Sequence, residues 1–589
     1  MKKIFEITIC IAICFAFNSR KEKKPDIADI AVRGWTILTD RPEEINKAIN
    51  SAKQYGINHL QLSHTIIMDL REVKNPAKQE QINLLINKAH NANIKEVNVW
   101  DHALYNLDYY PTNFKTGPDS SIDLDNPEFW IWFKQDYRNM MALIPNVDGL
   151  VLTFIETGAR AELQYSQKLK DKGEKIAAVV DAVAMVVCEE LGKKLYIRTF
   201  AYNDSEYRAI IGCISHIKSS KIILMMKETP HDFFLTHPND KFAGTIDRPT
   251  IIEFDTGNEF NGQGVIANTW PQYVLNRWRD FRSRKNIIGY VARTDRFGNT
   301  SVINRPSEIL LYALKRYTED TTVTDEMIYD EFISSTYGKQ ASLWLKPAFK
   351  SAFDIVTSSL YTLGTNTANH SSLDFDPYPS SYSRHVSGKW MDPPVVFVKH
   401  DVNRNFHYWK DIVQHIAPAR FKMPGKQLQD DAPYVFKKKW VTADEQMNEK
   451  FLGYMLTEKK YGVKTATMAL ANVEKARPYM DAGKYNDVYN TFYRTLITAR
   501  LYEAVTKAYF GYRIYARNKS FRTKTLINII RQGLTDIRVI AREMEKYNQS
   551  YPIGQWDWKN DRKFALVYYQ KIAVDGWPEY GGVVFDEKR

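Results

Sequence analysis

The sequence predicts a (β/α)8 TIM barrel followed by an all-helical region, and three observations carry that prediction. Eight short apolar runs of strand length recur between residues 31 and 291. Helix-period segments separate most of them, the alternation expected of a parallel sheet wound by crossover helices. From Asp320 onward the strand signal fades and helix signals dominate. A doubly wound open sheet is the competing architecture. It accommodates eight units less economically, and no glycine-rich phosphate loop follows any of the strands.

Residues 31–35 read as the first strand, with a helix over 42–55, and 57–63 as the second, with a helix over 79–92. The third strand is 97–100 and its helix 127–143; the fourth is 149–155, followed by a helix over 174–191. Residues 195–202 make the fifth, with Ser205 a fitting N-cap for the helix after it. Residues 222–226 make the sixth, whose return is irregular, and 250–254 the seventh, with a helix over 271–282. Residues 287–291 are the eighth strand and 306–317 the last barrel helix. Beyond these, 326–335 and 344–360 read as helices, and 366–396 as a long connection rich in Ser, Pro, Tyr and His. Residues 445–547 read as helices broken near Pro478 and Gly483. The expected units are a targeting signal over 1–24, a barrel over 25–320 and a mostly helical part over 321–589.

At 589 residues the chain exceeds one ordinary core. The formal charge of +12 admits nucleic acid, a membrane surface or an acidic substrate as partner. Only short basic clusters occur, near Lys21–Lys24 and at Lys437–Lys439, so nucleic acid is set aside; such charge is more often just a solvated surface, and an acidic glycan is the functional reading kept. An aromatic content of 13% suits stacking on sugar rings as well as core packing. Met1-Lys2-Lys3 and the apolar stretch 4–17, too short to span a bilayer, read as an export signal. The expected location is the periplasm or the outer membrane of a Gram-negative bacterium. In Ile11-Ala12-Ile13-Cys14, Ile13 stands where a lipobox wants a small residue; a lipid anchor at Cys14 and simple export both stay open. Cys188 and Cys213 read as two buried thiols rather than a disulfide. The histidines are scattered without ligand spacing, so no metal or cofactor is expected. A homodimer through the helical part is an open arrangement.

Three carboxylates arrive just past strand ends: Glu156 after the fourth, Asp232 after the sixth and Glu259 after the seventh. Barrel active sites lie at the C-terminal ends of the strands, and glycosidic cleavage uses one protonated carboxyl and a second group on the opposite ring face. A lone strand-end carboxylate is more often a cap or a loop ion pair. Three on one rim are harder to dismiss, although barrel loops are generally polar; a glycoside hydrolase and a purely structural role both stay open at this point. Trp35, Trp100, Asp101 and His102 end the first and third strands, where sugar stacking and hydroxyl bonding compete with packing and capping. Arg293, Asp295, Arg296 and Asn299 follow the eighth, near enough to take a substrate acid group. His370, Tyr378 and Tyr382 sit in the long connection, which has the length to fold over the mouth.

Four segments resemble the α-glucuronidases of glycoside hydrolase family 67. Ile197-Arg198-Thr199-Phe200-Ala201-Tyr202-Asn203 is similar to that family's Arg-Ala-Phe-Val-Tyr-Asn strand, and Lys227-Glu228-Thr229-Pro230-His231-Asp232-Phe233 to its Lys-Asn-Gly-Pro-Ile-Asp-Phe. Asn258-Glu259-Phe260-Asn261-Gly262-Gln263 is similar to Gln-Glu-Tyr-Leu-Gly-Gln, and Ile155-Glu156-Thr157-Gly158 falls where the family has Ser-Glu-Gly. The resemblance implies Glu156 as catalytic acid, Asp232 and Glu259 as carboxylates sharing the role of base, and inversion of configuration. It implies Arg198 and Lys227 as basic residues near a uronate, with Tyr202 and Asn203 beside them; an ion pair inside the barrel is the competing role for Arg198. It covers the barrel from about strand four to strand eight and, loosely, the helical C-terminal region. The chain departs from the family in starting its barrel without the usual N-terminal β-sandwich-like domain, and in carrying Glu228-Thr229 where the family has Asn-Gly. The expected activity is hydrolysis of an α-linked uronic acid from a polysaccharide fragment such as xylan; the alternatives are another acidic glycan, or a lipoprotein that binds glycans without cleaving them.

Overall fold

The computed structural model describes residues 30–201, 204–229, 232–235, 239–296, 300–362, 365–366, 368–373, 448–550, 558–577 and 581–587. The expected export signal with Cys14, and Tyr202, Asn203, Asn299, Tyr378 and Tyr382, lie outside these residues.

Eight parallel strands close into a barrel: β1 Val32–Ile37, β2 His59–Leu62, β3 Glu96–His102, β4 Gly149–Thr153, β5 Lys194–Arg198, β6 Ile222–Lys227, β7 Thr250–Phe254 and β8 Ile287–Arg293. Closure is made by β8 against β1, which sets Thr36 beside Arg293. The helices between them are α1 Pro42–Ala52, α2 Pro76–Asn91, α3 Pro127–Leu143, α4 Lys172–Ala184, α5 Asp204–Cys213, α6 Pro271–Arg282 and α7 Ile309–Glu319. Local chemistry starts them: the Asn75 and Asn126 side chains accept from the first-turn N–H groups of α2 and α3, each followed by Pro at the first helical position. The helix expected over 174–191 is α4 ending in a π-type turn, Met185–Glu190. Among the described residues no helix lies between β6 and β7, as the irregular return predicted.

Alternation along each strand sorts the side chains into two cores. Trp35, Ile37, Leu60 and Val99 point outward into the layer beneath the helices. Trp35 packs there on Tyr55, with ring centroids 5.1 Å apart, so it takes the packing role and not the sugar-stacking one. Val32, Trp100, Val151, Tyr196, Met225, Ile251 and Val291 point inward and fill the barrel. Strands approach closely enough that a Cβ at Gly34 would fall 2.5 Å from Val291 Cγ1, which reserves that position for glycine. At the N-terminal end, Glu96 accepts from the Tyr196 hydroxyl and pairs with His59 and Lys194. A polar plug at that end serves stability, since chemistry in this fold sits at the other.

Beyond the barrel come α8 Asp325–Tyr337 and α9 Lys339–Ser359, then two short hairpins. The first pairs β9 Tyr361–Thr362 with β10 Thr365–Asn366; the second pairs β11 Ala368–Asn369 with β12 Ser372–Leu373. Four further helices follow: α10 Glu449–Ala476, α11 Ala482–Arg517, α12 Lys524–Ser550 and α13 Trp558–Gln570. Each of α9 to α13 packs on the next. The break between α10 and α11 falls at the expected Pro478, in the 3-10 turn Arg477–Tyr479. Cys188 and Cys213 are free, buried thiols. Among the described residues no helix is long and apolar enough to cross a membrane.

Candidate active site

The inward parity that fills the barrel with apolar side chains turns charged at its C-terminal end. Arg198 on β5, Lys227 on β6, Glu253 on β7 and Arg293 on β8 follow the inward-facing Tyr196, Met225, Ile251 and Val291 by two residues each, so all four point to the axis. Glu253 is fully buried and forms the hub. Arg198 donates to it from Nε at 2.7 Å and from a terminal nitrogen at 3.3 Å, while Arg293 donates from Nε at 3.0 Å and Nη2 at 2.8 Å. Burial opposes its charge, but Arg198, Arg293 and Lys227 hold its carboxyl down to about 2.

Above this hub the β7–α6 loop brings Glu259 onto Arg293 Nη1 at 2.6 Å, Arg296 Nη2 at 2.5 Å and His370 Nε2 at 3.3 Å. Burial again opposes charge, yet Arg296, His370 and Arg293 hold the carboxyl well below the usual glutamate range. Lys227 donates to Asp232 at 2.6 Å, its ammonium 4.3 Å from the Phe200 ring centre and 3.9 Å from that of Phe233. The ammonium's pKa is lowered, chiefly by burial, against the pull of Asp232. Asp232 and Glu259 are both nearly inaccessible.

Glu156 differs. β4 ends at Thr153, so the loop carries this carboxylate out to the mouth, where its side chain keeps 31% exposure. Arg198 offers its third nitrogen at 4.0 Å, which places Glu156 beside the same guanidinium that grips Glu253. His102, at the end of β3, has Nδ1 fixed by Asp69 at 2.8 Å and by the Met68 carbonyl at 3.0 Å. Burial opposes its protonation, but Asp69 and Glu156 raise its pKa. Trp100 lies one layer deeper, bonded to Gln61 through Nε1 and covered by Arg198, whose Cζ sits 4.8 Å from the ring centre. It is buried and presents no face for stacking.

The expected residues Glu156, Arg198, Lys227, Asp232, Glu259, Arg293, Arg296 and His102 thus meet at one rim, with His370 reaching it from the β11–β12 turn. Asp101 and Asp295 do not join them. Asp101 points outward and accepts from Leu70 N–H, Tyr105 and Tyr137; burial raises its pKa to about 6. Asp295 accepts from Leu38 N–H, Thr39 N–H and Thr294, clamping the end of β1, and burial raises it likewise to about 6. Both carboxylates are spent on backbone and hydroxyl donors, which is the capping role.

Three residues at the rim escape sequence reasoning. Glu253 carried a signal: a carboxylate inside an apolar strand, in phase with the inward Ile251. Asp255, two residues on, accepts from Glu259 N–H at 2.7 Å while its own N–H donates to Glu228, and burial raises it to about 7. His64 follows β2 with φ +51 and lies against Trp100, ring centroids 5.2 Å apart. No sequence pattern marks it.

The helical region braces this rim. Thr495 on α11 accepts from Ala267 N–H, Arg494 donates to the Val265 carbonyl, and Tyr361 donates to Asn261, fixing the loop that carries Glu259. From the β11–β12 turn, Ser371 accepts from Gly262 N–H at 2.7 Å and donates to the Glu259 carbonyl at 2.8 Å.

No protein-family model matches the chain, and no curated protein does; the likeness to family 67 therefore rests on its short motifs. Among solved structures the chain is similar to a GH138 enzyme targeting pectin rhamnogalacturonan II, with a TM-score of 0.53 and 11% identity over 87% of this chain and 62% of that one. It also aligns with a family GH115 4-O-methyl-α-glucuronidase with specificity for decorated arabinogalactans, with a TM-score of 0.46 and 9% identity over 92% of this chain and 62% of that one. The chain spans 62% of the length of each. At such identity the first likeness speaks to the fold alone.

Proposed function

We propose that the protein is a glycoside hydrolase that releases an acidic sugar from a polysaccharide fragment with inversion of configuration. The observation that carries this reading is the division among the rim carboxylates. Glu156 is accessible, whereas Asp232, Glu253 and Glu259 are buried against cations. An acid that protonates a leaving oxygen must be reachable by it, and a base must stay ionised until water arrives.

In this reading Glu156 gives its proton to the glycosidic oxygen as the bond to the anomeric carbon breaks. Asp232 and Glu259 orient a water on the opposite ring face and take its proton as the new carbon–oxygen bond forms. Arg293 and Arg296 keep Glu259 ionised, Lys227 pairs with Asp232, and Glu253 fixes Arg198 beside the acid. An acidic sugar suits the +12 chain charge; an α-linked uronate on xylan is the preferred substrate. The apolar stretch at residues 4–17 supports export, with attachment through Cys14 as one form of it.

The test is release of uronic acid from glucuronoxylan and rhamnogalacturonan II fragments by the wild type and by Glu156→Gln. Release by the wild type and a loss of about 10²–10⁴-fold in the variant are expected. Equal turnover in both removes Glu156 from the chemistry.

A further inference from the structure

Every cation at the rim already meets a protein carboxylate: Arg198 and Arg293 on Glu253, Arg293 and Arg296 on Glu259, Lys227 on Asp232. An incoming acid group therefore adds a negative charge to a cluster whose positive charges are engaged. His64 stands just past the end of β2, where Arg296, Arg293, Arg198 and Glu259 all act on its ring. Its backbone is held in the left-handed region, φ +51, a conformation that costs a non-glycine residue energy and concentrates at ligand-binding positions. The ring lies against Trp100, and Ser63 Oγ stands 2.5 Å from Nδ1.

Ser63 is fully buried, and among the described residues its hydroxyl has no other side-chain or carbonyl partner. A buried hydroxyl gives its proton to an acceptor where one is available, so Ser63 donates to Nδ1 and the imidazole carries its own proton on Nε2. The groups that bear on the ring are Arg296 and Arg293 from the β8 end, Arg198 from β5 and Glu259 from the β7–α6 loop. Burial, then those guanidiniums, hold the imidazole neutral well below the usual histidine range.

We propose that His64 receives the acid group of the ligand and that binding of this anion brings a proton with it. Nε2–H donates to the anion. The added negative charge favours the imidazolium, solvent supplies a proton to Nδ1, and the Ser63 hydroxyl turns to accept from the new N–H. The inference rests on the acidic-sugar reading above, but it concerns binding and needs no bond cleavage.

The experiment is calorimetric titration of the full chain with free D-glucuronate, which has no glycosidic bond to cut, with D-glucose as the neutral control. At each pH from about 5 to about 8 both are run in two buffers that hold that pH and differ in ionisation enthalpy. The expected result is binding of glucuronate and not glucose, a buffer-dependent heat showing uptake of up to one proton, and affinity rising up to tenfold per pH unit as the pH falls. In His64→Asn, chosen because asparagine tolerates positive φ, the affinity drops and the proton uptake disappears. Imidazole nitrogen chemical shifts give a second readout on the wild type: the Nε2–H form without ligand, the imidazolium with glucuronate. Uptake unchanged in the variant, a ring that stays neutral in the complex, or no glucuronate binding overturns the proposal. Failure of the hydrolase reading shows separately, as absence of uronate release.

Discussion

Replacing Glu253 by Gln removes the charge that two buried guanidiniums share. The carboxyl is held down to about 2 against an ordinary glutamate near 4.5. At about 1.4 kcal/mol per pH unit, its ionisation contributes roughly 3 kcal/mol to the folded state. Breaking a buried ion pair by removing one partner costs about 3–5 kcal/mol, because the remaining charge stays desolvated. Both routes give the same expectation: Glu253→Gln lowers the stability of the barrel by about 3–5 kcal/mol at neutral pH. Because the folded pKa is depressed, that stabilisation is fully present above about 4.5 and is lost as pH falls toward about 2, so the two proteins converge in acid. Urea unfolding followed by tryptophan fluorescence reads the difference. Glu319→Gln is the control: that carboxylate is 42% exposed and pairs with Lys315 on the surface of α7, where a change within about 0.5 kcal/mol is expected. A Glu253→Gln protein within about 1 kcal/mol of the wild type at neutral pH would falsify the hub.

Two further outcomes follow from the loop behind Glu259. Asp255 is raised from 3.8 to about 7 by burial, so its neutral form stabilises the fold below about 3.8 and that stabilisation is lost as pH rises through about 7. Asp255→Asn keeps an acceptor for Glu259 N–H without the charge, and its thermal midpoint is expected to exceed the wild type's at about pH 8 while matching it more closely at about pH 5; a difference independent of pH contradicts this. Ser371→Ala removes two hydrogen bonds that tie the β11–β12 turn to the loop. A loss of about 1–3 kcal/mol in stability is expected, with lower turnover because Glu259 loses its support; full turnover would show that the turn does not position the loop.

The barrel was legible because its signal is periodic. Each strand is a short apolar run, and seven of the eight connections betray a helix or its cap. The rim was legible where a carboxylate or cation follows such a run, as at Glu156, Lys227 and Arg293. What failed was direction. Asp101 and Asp295 sit at strand ends in the same way, but one points outward between strand and helix and the other bends back onto β1, and residue type alone does not separate inward from outward. Parity would have: Asp101 follows the inward Trp100 by one residue, whereas Glu253 follows the inward Ile251 by two. His64 owes its place to a backbone turn and Asp255 to the fold of a loop, and neither leaves a mark in the sequence. The role of the helical region as a brace for the Glu259 loop depends on contacts such as Thr495 with Ala267, more than two hundred residues apart.

Proton NMR of the protein mixed with an oligosaccharide bearing a terminal α-1,2-linked uronate separates inverting hydrolysis from its alternatives. Inverting hydrolysis by Glu156 with water activated at Asp232 and Glu259 predicts free uronic acid appearing first as the β anomer, and none with Glu156→Gln. First appearance of the α anomer contradicts the inverting arrangement, and no release from any acidic glycan contradicts the hydrolase reading itself.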